Sequence, residues 1–95
     1  MGGEGTVPNR EERFDQADKR LNETYAKLLA KTEPAKRETF REEQRAWLVS
    51  RDTDAEVAAI QAWSSGRESE ARILESKALA TEARVTELER RLQER

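Results

Sequence analysis

The chain has 95 residues, a formal net charge of −2, and neither cysteine nor histidine. This length suits one small domain, and the composition excludes disulfides, thiolate or imidazole metal sites and histidine acid–base chemistry. Basic and acidic residues are interspersed, so no nucleic-acid partner is predicted. No apolar run approaches the roughly 18 residues of a transmembrane helix. With no glycine-rich phosphate loop either, we predict no enzyme, and hence no catalytic residue, metal or cofactor.

The first predicted helix follows a short polar segment. Residues 1–9, MGGEGTVPN, are predicted to be flexible, and the folded domain is predicted over 10–95. Helix 1 is expected over about 10–31, with Asn9 as its N-cap and Glu12 three residues later. Its apolar stripe comprises Phe14, Ala17, Leu21, Tyr25 and Leu28.

Pro34 marks the start of the second predicted helix, because proline suits the first turn of a helix and disrupts its interior. Helix 2 is expected over about 34–62. Its apolar stripe comprises Phe40, Trp47, Leu48, Ala55, Ala58 and Ala62. The stretch QRAWLVSRD at 44–52 is unusual, because Gln44 and Arg51 fall on the same face as Trp47.

The third predicted helix begins after WSSGRE, where Ser65 and Glu68 have the spacing of a capping box. Helix 3 is expected over about 66–93. Its stripe, in heptad-like steps, comprises Leu74, Ala78, Thr81, Val85, Leu88 and Leu92. Strand signals are missing, and short connections make consecutive helices antiparallel. We therefore predict an all-α, three-helix antiparallel bundle with long helices 2 and 3 and with helix 1 in the groove between them.

Alanine dominates the facing ends of helices 2 and 3, in AEVAAIQA and ESKALATEA. Small side chains allow close helix approach but bury little apolar area, so the core is expected to be thin there. Two alternatives follow for the helix 3 seam: helices 1 and 2 cover it, or a second copy of the chain does, which would give a homodimer.

A polar layer inside the bundle is predicted from register. Reversals near residues 32 and 65 place Asp18, residue 46 and residue 84 at one level, and the Arg51 side chain leans back toward it. Buried guanidinium groups need carboxylates, so Asp18 is expected to accept from Arg51 or Arg84. The predicted layer comprises Asp18, Asn22, Gln44, Trp47, Arg51, Thr81 and Arg84. It is either a device that fixes helix register or a catalytic Asp/Arg site; without a substrate pocket the first is favoured.

Three stretches resemble the LprI-type lysozyme-inhibitor family: ADKRLNETYAKLL at 17–29, QRAWLVSRD at 44–52 and ATEARVTEL at 80–88. The corresponding family patterns are AD-x-x-LN-x-x-Y, Q-x-x-W-x-x-x-RD and T-x-x-R-x-x-x-L, in this order. The resemblance implies a small helical domain of bacterial exported proteins, so an extracytoplasmic location is expected: periplasmic, secreted or lipid-anchored in the native precursor. It also implies inhibition of lysozyme. Family members typically carry cysteines that look disulfide-forming, and this chain departs from them.

Two further surfaces are candidates for partner binding. The connection containing Trp63, Ser64, Ser65 and Arg67 is either a tip that enters a partner's groove or a capped helix connection with Trp63 as the lid of the bundle end. The acidic residues Asp52, Asp54 and Glu56 either bind a cation or a basic partner or form a solvated helix face.

The expected function is therefore a non-catalytic binding module of the cell envelope that inhibits lysozyme by steric occlusion. The alternative is a self-associating helical adaptor without that activity. The partner expected in both cases is a protein.

Overall fold

The computed structural model describes residues 9–64 and 69–94, which form three α-helices: α1 (Arg10–Lys31), α2 (Pro34–Ser64) and α3 (Ser69–Gln93). No strand occurs in this part of the chain, so the predicted all-α class is confirmed. None of the helices, over the residues described, is long and apolar enough to cross a membrane. Residues 1–8 of the predicted flexible segment and the predicted capping box of Ser65 and Glu68 lie outside the described residues.

Side-chain caps define both ends of α1. Asn9 accepts a hydrogen bond from the Glu12 backbone N–H at 2.8 Å through its side-chain oxygen, and its amide donates to the Glu12 carboxylate at 3.1 Å. At the other end, the Thr32 hydroxyl donates to the Leu28 carbonyl at 2.7 Å. Thr32 is extended, with φ −83° and ψ 138°, and α2 starts two residues later at Pro34. Satisfied terminal groups and a proline in the first turn thus fix the reversal between α1 and α2.

The central helix is α3, and both other helices pack against it. It runs antiparallel to α2, because Lys77 lies beside Asp52 while Thr81, further along α3, lies beside Arg51. It runs parallel to α1: Arg13 binds Glu82 and Arg20 binds Glu89, both pairs 69 residues apart in sequence. The prediction that α1 lies in a groove between the other two helices is corrected accordingly. Helix α1 lies along α3 and meets α2 mainly through side chains, including Tyr25 and Phe40, whose ring centroids are 5.0 Å apart.

The core differs between the two ends of the bundle. At the inner end, next to the turn at Thr32, large apolar side chains form one cluster: Leu21, Leu28, Phe40, Val85 and Leu88. At the outer end, toward Ser64, the buried apolar residues of α2 are Ala55, Ala59 and Ala62. Alanines bring helix backbones together but remove little apolar surface from water, so most of the hydrophobic stabilisation lies at the inner end.

Candidate functional site

A buried arginine of the central helix organises the polar layer. Arg84 is 5% exposed, and its Nε and Nη2 donate to the Gln44 side-chain oxygen at 3.1 and 2.9 Å. Its Nη2 also lies 3.0 Å from a Glu43 carboxylate oxygen, and its Nη1 lies 3.1 Å from Glu87. The planar guanidinium is thus bonded on three sides, which compensates for its removal from water.

Arg91 extends this cluster toward the surface. Arg91 lies seven residues, about two turns, beyond Arg84 on α3. Its Nη2 lies 2.8 Å from Glu43 and 3.0 Å from Glu87. Two arginines therefore share two glutamates. The hydrogen bond from Arg91 is the largest cause that lowers the pKa of Glu43, followed by the one from Arg84, while partial burial opposes them. Glu43 is consequently held as a carboxylate, which makes the contact between α2 and α3 depend on its charge.

A second arginine enters the layer from α2. The Arg51 side chain is 10% exposed; its Nε lies 3.0 Å from Asp52 and its Nη1 lies 3.7 Å from Asp18. Its Nη1 also reaches the buried Thr81 hydroxyl at 3.5 Å. The carboxylates that neutralise Arg51 are 42% and 49% exposed. The carboxylates of Arg84 are exposed to the same extent, 42% and 48%. Arg84 differs in that it also bonds the buried amide of Gln44, so Arg51 is expected to contribute less to stability.

Trp47 lies against both guanidinium groups. The central guanidinium carbon of Arg51 is 5.5 Å from a Trp47 ring centroid, and that of Arg84 is 5.6 Å away. Arg51 also lies 5.3 Å from the centre of the Phe14 ring. These distances are within the range of cation–π attraction. Aromatic faces and carboxylates together explain how α2 and α3 carry polar groups on their packed faces.

The burial expected for two helix 1 residues is corrected by this geometry. Asp18 is close to Arg51 but only half-buried, and Asn22 is exposed. Both line a groove of about 230 Å³ between α1 and α2, together with Tyr25. At this groove solvent reaches Asp18 and Asn22 on α1, while Tyr25 beside them packs against Phe40 of α2. Asn22 therefore lies outside the buried part of the layer.

Sequence reasoning missed the carboxylates that neutralise Arg84. Glu43 and Glu87 were not predicted as members of the layer, although a signal existed. Arg84, Glu87 and Arg91 have the i, i+3 and i+4 spacings of helical ion pairs, and a reversal near residue 65 places residue 43 opposite residue 87. Every buried side-chain polar atom in the described part of the chain has a hydrogen-bond partner. The layer thus has the properties of a register-fixing device.

The outer end of α2 presents a different kind of surface. Trp63 is 76% exposed, so it does not serve as a lid over the bundle end. Ser64 is also exposed, and its hydroxyl donates to the Ile60 carbonyl at 3.1 Å. The remaining predicted tip residues, Ser65 and Arg67, lie outside the described residues. An exposed tryptophan at a helix end is a feature of protein-binding surfaces.

Trp63 belongs to a longer exposed row, which we call the α2 outer stripe: Val49, Val57, Ile60 and Trp63. Val49 and Ile60 are each 66% exposed, and Val57 is 49% exposed. Val57 and Ile60 lie on the face of α2 opposite the buried Ala59 and Ala62, and Trp63, four residues after Ala59, lies at the edge of the buried face. Asp54 and Glu56 are exposed on the same segment, whereas Asp52 is paired with Arg51 and Lys77. Among the residues described, no group of three acidic side chains is placed to hold a metal ion.

The fold and this surface define a small three-helix protein with an ionic layer inside and an apolar stripe outside. The family model of the lysozyme inhibitor LprI matches residues 10–92. The chain therefore belongs to the LprI lysozyme-inhibitor family, and the resemblance noted in its sequence is confirmed. No curated protein and no solved structure matches the chain.

Proposed function

We propose that this protein is a non-catalytic binding module of the bacterial cell envelope that inhibits lysozyme by occluding its cleft. The observation that carries the proposal is the family match over residues 10–92. The same membership supports a location outside the cytoplasm, where lysozyme meets the cell wall. The protein partner is then lysozyme itself.

The charged groups of the polar layer support a structural rather than a chemical role. Arg84 and Arg51 are bonded to carboxylates and covered by Trp47. A general base needs access to a substrate and a pKa near the working pH, whereas Glu43 has a lowered pKa and is held by two arginines. Inhibition by steric occlusion requires neither.

The exposed Trp63 is the anchor that we assign to this function. A large aromatic ring gains from desolvation when it enters a pocket, and Trp63 is free of the bundle core. Ser64 and, from the sequence alone, Ser65 and Arg67 would complete the binding end. In this arrangement the protein covers the cleft with the end of the bundle.

The test is lysis of a cell-wall suspension by lysozyme in the presence of excess protein. Wild type should slow lysis, and Trp63→Ala should lose most of the effect while it keeps the wild-type melting temperature. Leu79→Ala is the matched control, because Leu79 is also an exposed apolar residue, 50% exposed, on another helix. Full lysis in the presence of wild type would refute lysozyme inhibition.

The second candidate is a self-associating helical adaptor, and the observation behind it is that the α2 outer stripe is apolar and exposed. Exposed apolar rows on a helix are typical of helix–helix association. If it is correct, the melting temperature should rise with protein concentration. A monomer at all concentrations in sedimentation, with a constant melting temperature, would exclude it.

A further inference from the structure

The α2 outer stripe has three properties that together describe a binding surface. It is apolar and accessible to a partner, because Val49, Val57, Ile60 and Trp63 are hydrophobic side chains that are all about half exposed or more. It is straight and extended: Val49 to Trp63 spans about 21 Å at the rise of an α-helix. It also lies on one uninterrupted helix, Pro34–Ser64, so its side chains are already in place before a partner arrives.

The charge next to the stripe has one sign. After Arg51, the remainder of α2 to Ser64 contains Asp52, Asp54 and Glu56 and no lysine or arginine. Asp52 is neutralised by Arg51 and Lys77. Asp54 and Glu56 are exposed; Asp54 lies three residues before Val57, and Glu56 lies four residues before Ile60. The apolar stripe is thus bordered by two exposed carboxylates, and the nearest cation on α2, Arg51, is paired with Asp52 and Asp18 instead.

An apolar stripe with an acidic border favours some binding partners over others. Two copies of the chain packed through the stripe would bring the carboxylates of both copies into one contact, and like charges in a contact are unfavourable. A partner with an apolar patch bordered by lysine or arginine would pair its charges with Asp54 and Glu56 while it covers Ile60 and Val57. The surface therefore fits a basic protein better than a second copy.

We infer that the α2 outer stripe is the surface that docks a basic protein, with Ile60 and Val57 as apolar contacts and Asp54 and Glu56 as its charge-recognition pair. This inference rests on the proposed function, for which the basic partner is lysozyme. The cleft of lysozyme contains the two carboxylates used for glycoside hydrolysis, which would repel Asp54 and Glu56. The α2 outer stripe therefore binds the basic surface that borders the cleft. Trp63, at the end of the stripe, then lies nearest the cleft.

The experiment measures binding of full-length protein to a purified basic c-type lysozyme by calorimetry, in parallel with the lysis assay. Asp54→Lys combined with Glu56→Lys should weaken binding by about tenfold or more, as expected when interface charges are reversed beside an anchor. Asp15→Lys combined with Glu23→Lys is the matched control: both residues are exposed on α1, and the net charge changes equally. The control should lose much less affinity.

Apolar contact is tested separately. Ile60→Ser should weaken binding by a similar factor, whereas Leu79→Ser should leave it unchanged. Leu79 is half exposed and lies on α3, three residues before Glu82, so it is not part of the α2 outer stripe. Added salt should weaken wild-type binding more than that of the Asp54/Glu56 variant, since screening acts on the charge pair.

The outcomes separate the two proposals. Wild-type binding and inhibition that survive both stripe variants would refute the docking surface and leave lysozyme inhibition intact. No binding or inhibition by wild type would refute lysozyme as the partner and the docking assignment with it. A dimer that Ile60→Ser dissociates would identify the stripe as a self-association face, which also overturns the inference.

Discussion

The inner and outer ends of the bundle are built from different side chains. At the inner end, Leu21, Leu28, Phe40 and Leu88 are buried against one another. At the outer end, α2 buries only alanines, while Ile60 and Trp63 are exposed. Large apolar residues inside stabilise the fold; the same residue types outside stabilise nothing until a partner covers them. Most of the apolar burial thus lies at the inner end of α2, and the surface proposed for binding lies at its outer end.

The largest expected effect comes from the inner end. Leu88 is 0% exposed, and Leu88→Ala should lower the free energy of unfolding by about 2–5 kcal/mol, through lost burial and the cavity left behind. At the outer end, Ala55 is equally buried, but its side chain is a single methyl group, whose removal leaves only a small cavity. Ala55→Gly should therefore cost only about 1 kcal/mol, mainly from helix propensity. Urea unfolding measures both. Equal losses of unfolding free energy would show that hydrophobic stabilisation is not concentrated at the inner end.

The second effect compares the two arginines of the polar layer. Arg84 is the more buried and binds Gln44, Glu43 and Glu87. Arg84→Ala should therefore destabilise by about 1.5–3 kcal/mol, the range for hydrogen bonds to charged groups. Arg51→Ala should cost less, about 1 kcal/mol, because the Arg51 side chain is 10% exposed against 4% for Arg84 and no buried amide like that of Gln44 depends on it. Thermal unfolding of both variants decides the order, and a larger loss for Arg51→Ala would contradict it.

The sequence predicted the helices and their caps more completely than it predicted the polar layer. Helix 1 was predicted over 10–31 with an Asn9 cap, and α1 spans Arg10–Lys31 with that cap. Local signals suffice there, because caps and prolines act on neighbouring residues. By contrast, the exposure of Asn22 depends on α1 packing on α3 rather than between the other helices. That choice depends on the packing of three helices at once, which the period of one stripe does not encode.

The partners of Arg84 show the same limit. Gln44 lies on the apolar stripe of α2 and was found from its position, whereas Glu43 lies beside that stripe and resembles an ordinary solvated residue. Only the register between α2 and α3 identifies Glu43 as a partner of Arg84 and Arg91. The exposure of Trp63 likewise did not follow from the sequence, which left its role as lid or anchor open.

A smaller effect comes from pH and again concerns the inner end. Arg91 and Arg84 lower the pKa of Glu43 from its ordinary value of 4.5, so the folded state binds fewer protons than the unfolded state near that pH. The stability that Glu43 contributes is present above pH 4.5 and is lost as the pH falls through its lowered folded pKa. Glu43→Gln should therefore be less stable than wild type at pH 7, and the difference should shrink in acid.

Glu82 provides an independent comparison, since the hydrogen bond from Arg13 is the main cause of its lowered pKa. Glu82→Gln should show the same sign of pH dependence. The measurement is urea unfolding of wild type and both variants across the acidic range. A difference between wild type and Glu43→Gln that stays constant from neutral to strongly acidic pH would show that the carboxylate is not stabilised by its arginines.

The smallest expected effect belongs to the outer stripe. Ile60 is 66% exposed, and replacing a mostly solvated side chain should change the free energy of unfolding by less than about 0.5 kcal/mol. Ile60→Ser should thus unfold with wild-type cooperativity at the wild-type urea midpoint. A loss as large as that of Leu88→Ala would mean that Ile60 packs against the bundle. Weaker binding by Ile60→Ser would then reflect partial unfolding rather than a lost contact with the partner. If the midpoint is unchanged, any affinity that Ile60→Ser loses must come from the docked surface, because the fold that presents Asp54, Glu56 and Trp63 is still intact.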